Sequence, residues 1–232
     1  MPNEDHSNHT HTEPMLLDIF AIRVLGVLAE KEATTPDAYP LTVNALVNGC
    51  NQLSNRFPVM QLSEERVRQT LDQLREQKLV FLLHQAGARV AKYSHNLRGI
   101  FLLEAPHLAI LTMLFLRGAQ TVGELRARCE RLHRFASLNE ASEALEHLIH
   151  LTPPLATALA LAPGAKEVRY VHYLSGDTHM QQEDMRSAWG ESTSIMDATS
   201  NQQSDVLEEI KNIKRELAWL VSEFERFKKQ FE

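Results

Sequence analysis

Residues Leu62–Tyr93 read LSEERVRQTLDQLREQKLVFLLHQAGARVAKY. Ser63, followed by Glu64, Glu65 and Arg66, opens a helix, because a serine oxygen can accept from the unpaired N–H groups of a first turn. Val67, Leu71 and Leu74 recur at helical spacing and define its buried stripe. Leu79–Leu83 is short, apolar and β-prone, Gln85–Ala88 turns on Gly87, and Arg89–Tyr93 alternates as a half-buried strand does. The stretch predicts a helix followed by a two-stranded ribbon.

Upstream, Met15–Glu32 carries Leu17, Phe20, Ala21, Val24, Leu25, Val27 and Leu28 near helical spacing, and KEATTP closes it on a proline. Thr42 caps a second helix that turns Val43, Leu46, Val47 and Cys50 inward. Pro58 forbids a continuous helix through NQLSNRFPVM. Three helices and a ribbon make a winged helix-turn-helix.

Downstream the same order returns. HLAILTMLFL is a first helix, Thr121 caps VGELRARCERL, LNEASEALEHLIHL is a third helix ended by Pro153 and Pro154, and Leu155–Leu161 and Val168–Leu174 flank a turn at Pro163 and Gly164. VNALVNGC matches VGELRARC and GARVAKY matches GAKEVRY, at offsets of about 77 to 79 residues. Internal duplication accounts for both. Cys50 and Cys129 fall at the same place in the two copies and read as small buried hydrophobes.

The expected fold is therefore mainly α with small β wings. Residues 15–103 and 104–175 form two tandem winged helix-turn-helix domains. A disordered, His-containing leader occupies residues 1–14, a disordered linker residues 176–204, and a C-terminal coiled-coil helix residues 205–232. In that helix Val206, Ile210, Ile213, Leu217, Leu220, Phe224, Phe227 and Phe231 alternate steps of four and three. An exposed heptad seam of this kind needs a partner, and a homodimer through the C-terminal helix is the expectation.

Composition narrows the function. An apolar run such as Leu108–Leu116 falls far short of the roughly 20 residues that span a bilayer. The first residues lack the apolar core of a secretory signal. Two cysteines without a CxxC fit a reducing cytoplasm and no zinc site. The net charge of −6 is uneven, with the acidity in the two ends and residues 15–103 mildly basic. No Gly-rich phosphate loop, HExxH or GxSxG occurs, so no enzyme activity, metal or cofactor is expected. His147 and His150 with Glu143 have spacing that suits a metal, though an exposed polar face is the commoner origin of such a set.

The stretch EKEATTPDAYPLTVNALVNGCNQLSNRFPV, Glu30 to Val59, resembles the signature of the bacterial YceH family. The resemblance is specific across the first domain, looser across Leu103–Ser175, and ends at the linker. It implies a tandem winged-helix fold and no enzyme activity. Asn55, Arg56 and Pro58 match the pattern. Leu53, Ala21 and Phe57 depart from it, and Leu53 removes a cation from the loop.

The expected function is that of a dimeric DNA-binding or transcription-regulatory protein. In a DNA-binding winged helix the third helix enters the major groove while the wing touches phosphate. On the first third helix a wheel points Glu65, Gln69, Asp72, Gln73 and Glu76 outward, and on the second Glu140, Glu143, Glu146, His147 and His150; carboxylates there oppose phosphate binding. Arg66 and Arg68 lie on the flanks of the first, where they either reach phosphate or pair with neighbouring acids. The remaining candidates for double-stranded DNA are Asn55 and Arg56 in the loop, Arg89 and Lys92 on the first wing, and the stripe Arg126, Arg128, Arg131 and Arg134. The alternative is a protein partner held by the acidic third helices and the coiled coil.

Overall fold

The computed structural model describes residues 16–83, 90–161 and 164–175. They belong to one compact unit, Met1–Gln182, distinct from Glu183–Glu232. The heptad seam, the linker, the leader and Arg89 lie outside the described residues.

Among the described residues the fold is mainly helical with two small antiparallel sheets. The first repeat consists of α1 (Ile19–Thr34), α2 (Val43–Cys50), α3 (Glu64–Glu76), β1 (Val80–Leu83) and β2 (Lys92–His95). A five-residue helix, α4 (Leu97–Phe101), leads into the second repeat: α5 (Ala105–Arg117), α6 (Val122–Arg128), α7 (Leu138–His150), β3 (Ala156–Ala158) and β4 (Tyr170–His172). Short 3-10 turns cover Pro36–Ala38 and Cys129–Arg131.

The helix starts follow from side-chain oxygens placed to accept N–H groups that have no partner within the helix. Asp18 accepts from Ala21, Thr42 from Ala45, Ser63 from Arg66, Thr121 from Glu124 and Ser137 from Glu140. Thr121 and Glu124 complete a reciprocal capping box. Inside α3, Val67, Leu71 and Leu74 are fully buried, as their spacing predicts, and Thr70 joins them.

Two bridges outside the sheets have the same form. Leu41 and Tyr93 exchange two backbone bonds of 3.0 and 2.8 Å, and Gln120 and Tyr170 exchange two of 3.0 and 2.8 Å. Each two-stranded sheet is thus bridged to the segment just before α2 or α6. β2 also runs two residues further than the alternation of Arg89–Tyr93 suggests, because buried Tyr93 is followed at the next inward position by buried His95.

A boundary at residues 103 and 104 falls between α4 and α5, yet the apolar interior crosses it. Buried residues of both repeats form one continuous cluster. Helices α1 and α5 pack closely at Gly26, where an added Cβ would lie 2.8 Å from Leu116 Cδ2 and 3.1 Å from Phe115 Cβ. The Leu17 N–H donates to the Leu174 carbonyl at 2.7 Å, joining the start of the first repeat to the end of the second. No helix among the described residues is long and apolar enough to cross a membrane.

Candidate nucleic-acid interface

The loop after α2 holds two of the sequence candidates, and its conformation is set by buried charge. Arg23 projects from α1 into the interior, 1% exposed. Its guanidinium donates to the carbonyls of Cys50 at 3.1 Å and Pro58 at 2.6 Å. Burial lowers its pKa to about 10. Arg56 folds back beside it, forked onto the Glu30 carboxylate at 3.1 and 2.6 Å, with Nε donating to Gly49 O at 3.0 Å. Asn51 closes the far side by exchanging two hydrogen bonds with the Leu62 backbone.

This geometry corrects the expectation for Arg56. Its place in the loop suits a phosphate contact, but its side chain is fully buried and its charge is matched by Glu30. Asn55 stays exposed at φ 61°, and its Oδ1 accepts from Arg117 of α5. The Phe57 N–H donates to Leu116 O at 2.7 Å. The signature loop therefore fastens α1, α2 and α5 to one another.

On α3, Arg68 is tied to Glu64 at 2.6 Å and Arg75 to Asp72 at 3.0 Å, both within the helix. Arg66 lies over the Phe20 ring, 5.0 Å from its centroid. Glu65, Gln69, Asp72, Gln73 and Glu76 are exposed, as the wheel places them. Glu65 and Glu76 have no ion-pair partner among the described residues. On α7, Glu143, Glu146, His147 and His150 are exposed and Glu140 is half-buried. The His147 ring stacks on His107 of α5 at 4.0 Å, and His150 Nδ1 lies 2.7 Å from Glu146 O. No group of three or more His, Cys, Asp or Glu among the described residues is placed to hold a metal ion.

The arginine stripe of the second repeat is interrupted. Helix α6 ends at Arg128, and a 3-10 turn carries Arg131. Arg128 donates to Gln120 Oε1 at 2.9 Å and lies 3.7 Å from Glu124. Arg134 pairs with Glu130 at 3.3 Å. Arg126 and Arg131 are exposed without an ion pair among the described residues, and Lys92 is half-buried on β2. The candidate cations without an ion pair among the described residues are thus Arg66, Lys92, Arg126 and Arg131, on α3, β2, α6 and the 3-10 turn that follows α6.

Cys50 and Cys129 are buried free thiols whose pKa values burial pushes up to about 12, so they stay protonated and unreactive. Two clusters are absent from the sequence candidates. One is built on Arg23 and Glu30, seven residues apart on α1, which hold the Cys50 and Pro58 carbonyls and the Arg56 guanidinium respectively. The other lies at the base of the first wing, where His95 Nε2 is 3.2 Å and Arg98 Nε 3.5 Å from Glu32 Oε2. The His95 imidazole beside it holds the Glu32 carboxyl below its ordinary pKa. Tyr39 caps the cluster, its oxygen accepting from the His95 N–H at 2.8 Å.

The model of the family described as "Protein of unknown function, DUF480" matches residues 17–165. The chain belongs to the DUF480 family. Within it the chain is 42% identical over 232 residues to the UPF0502 protein HEAR1280 of Herminiimonas arsenicoxydans, covering 98% of each. It is 46% identical over 217 residues to azo0627 of Azoarcus sp. strain BH72, covering 93% of this chain and 94% of that one. A Chromobacterium violaceum UPF0502 protein is 50% identical over 161 residues, 69% of this chain and 73% of the relative. The resemblance to YceH carried by Glu30–Val59 agrees with this membership, and the DUF480 match ends before the linker begins.

Proposed function

We propose that this DUF480 chain is a non-enzymatic binding module of the cytoplasm, two winged helix-turn-helix units fused through one core, that docks on a protein of basic surface character. The carrying observation is the charge on α3. Glu65 and Glu76 face outward without cations, while Arg68 and Arg75 neutralise Glu64 and Asp72 on the same helix. Such a face repels phosphate and complements lysines and arginines. The exposed carboxylates of α7 extend the same logic to the second repeat. A winged helix serves either class of partner, so the face and not the fold decides.

The test is affinity capture with the full chain and with the triple reversal Glu65→Lys, Asp72→Lys, Glu76→Lys. The specific partners of the wild type are expected to be lost at unchanged circular dichroism. Retention of all of them by the reversed variant refutes the reading.

A second reading, contact with double-stranded DNA, is favoured by Arg126 and Arg131, which are exposed and free of ion pairs among the described residues. Either module is a dimer in this proposal, because the seam from Val206 to Phe231 buries its apolar edge only against another helix. Deleting Asp205–Glu232 is expected to halve the mass measured by light scattering, and an unchanged mass contradicts the dimer.

A further inference from the structure

A cleft of about 330 Å³ opens between α1 and α5, at the small end of the range for small-molecule sites. Leu108, Ala109 and Leu132 give it an apolar floor and Ala29 and Ala33 leave it room, while Glu32 and Arg98 stand on one wall. Both charges are only half spent. Glu32 Oε2 lies 3.2 Å from His95 Nε2 and 3.5 Å from Arg98 Nε, and the Glu32 and Arg98 side chains stay 34% and 48% exposed, so each keeps an edge open to the cleft. A guanidinium fork fits a carboxylate through two parallel hydrogen bonds, and a carboxylate oxygen a few ångströms away fits an ammonium.

We propose that this cleft binds an aliphatic α-amino acid, its carboxylate on Arg98, its ammonium on Glu32 and its side chain on the leucine and alanine floor. The site stands apart from the proposed docking face of α3 and does not depend on whether the partner is protein or DNA. It does touch the wing. Glu32 also holds His95, the last residue of β2, so an ammonium on Glu32 redistributes the charge that fixes the wing's base.

The experiment is a thermal-shift screen of the full chain against the twenty L-amino acids at about 10 mM each, since a ligand that binds only the folded state raises the melting temperature. Calorimetry follows with the best aliphatic one, its amide and its deaminated acid. An aliphatic amino acid is expected to bind, with the amide and the deaminated acid at least about ten-fold weaker. Arg98→Ala should remove binding by deleting the fork, and Ala33→Phe by filling the cleft, both at unchanged circular dichroism. The proposal is overturned by any of three results: no aliphatic amino acid binds, the truncated analogues bind equally well, or binding survives Arg98→Ala.

Discussion

At the scale of single residues, the most consequential side chains are charges in the interior. The Arg56 side chain is fully buried and Glu30 14% exposed, so each is solvated chiefly by the other. Removing one partner of a buried pair leaves a charge without compensation, which costs roughly 3–5 kcal/mol. Arg56→Ala is expected to lose stability in that range by urea denaturation, and Glu30→Gln combined with Arg56→Met to recover part of it. Equal losses in the single and double variants contradict the pairing.

His172 gives a second residue-scale prediction. Fully buried against the edge of Phe115, it has a pKa lowered from 6.5 to about 4 by desolvation. Between those pH values the unfolded chain binds a proton that the folded chain refuses. Stability therefore falls as pH drops from about 6.5 towards 4 and is unaffected by this group above that window. His172→Leu should flatten the acid limb of a stability-versus-pH profile, and an unchanged limb counts against a neutral buried imidazole.

At the scale of elements, periodicity explains what a reader of the chain can and cannot see. The stripe Val67, Leu71, Leu74 and the oxygens of Thr42, Ser63 and Thr121 specify their helices locally, and the structure has each where spacing puts it. Arg23 and Glu30 escape notice because charged side chains are read as surface, although Arg23 is buried and Glu30 holds Arg56. His95 escapes for a related reason: an imidazole does not count as apolar, so the alternation of β2 looks finished at Tyr93. The arginine stripe fails as a pattern because helix α6 stops at Arg128, a boundary that neither Gly nor Pro announces. The exposed face of α3, by contrast, is readable from the wheel alone.

Gly26 belongs to this scale too, since it sets how closely α1 and α5 can pack. Gly26→Ala drives a methyl group to within 2.8 Å of Leu116, itself without exposure. Overpacking of this kind costs about 1–3 kcal/mol. The melting temperature of the variant should drop while the helical circular dichroism at 25 °C is retained, and an unshifted melt contradicts the close crossing.

At the scale of the whole molecule, the helices and strands on either side of residue 103 share one interior. The signature loop belongs to the first copy by sequence but bonds to α5 of the second through Asn55 and Phe57. A stretch that looks like a DNA-contact turn thus carries a buried arginine, Arg56, whose charge is spent on Glu30 of α1, while Asn55 and Phe57 beside it reach α5. On α3 the exposed acids Glu64, Glu65, Asp72 and Glu76 stand beside Arg66, Arg68 and Arg75, of which Arg68 and Arg75 are paired within the helix, while Lys92, Arg126 and Arg131 lie on β2, α6 and the 3-10 turn that follows it.

Non-specific phosphate affinity is greatest at low salt, which makes a fluorescence anisotropy titration of the full chain against random duplex DNA at about 50 mM salt the most direct test of this charge distribution. An acidic docking module predicts no saturable binding at micromolar protein. Saturable binding that weakens steeply as salt rises, and is lost on Arg126→Ala with Arg131→Ala, would contradict it.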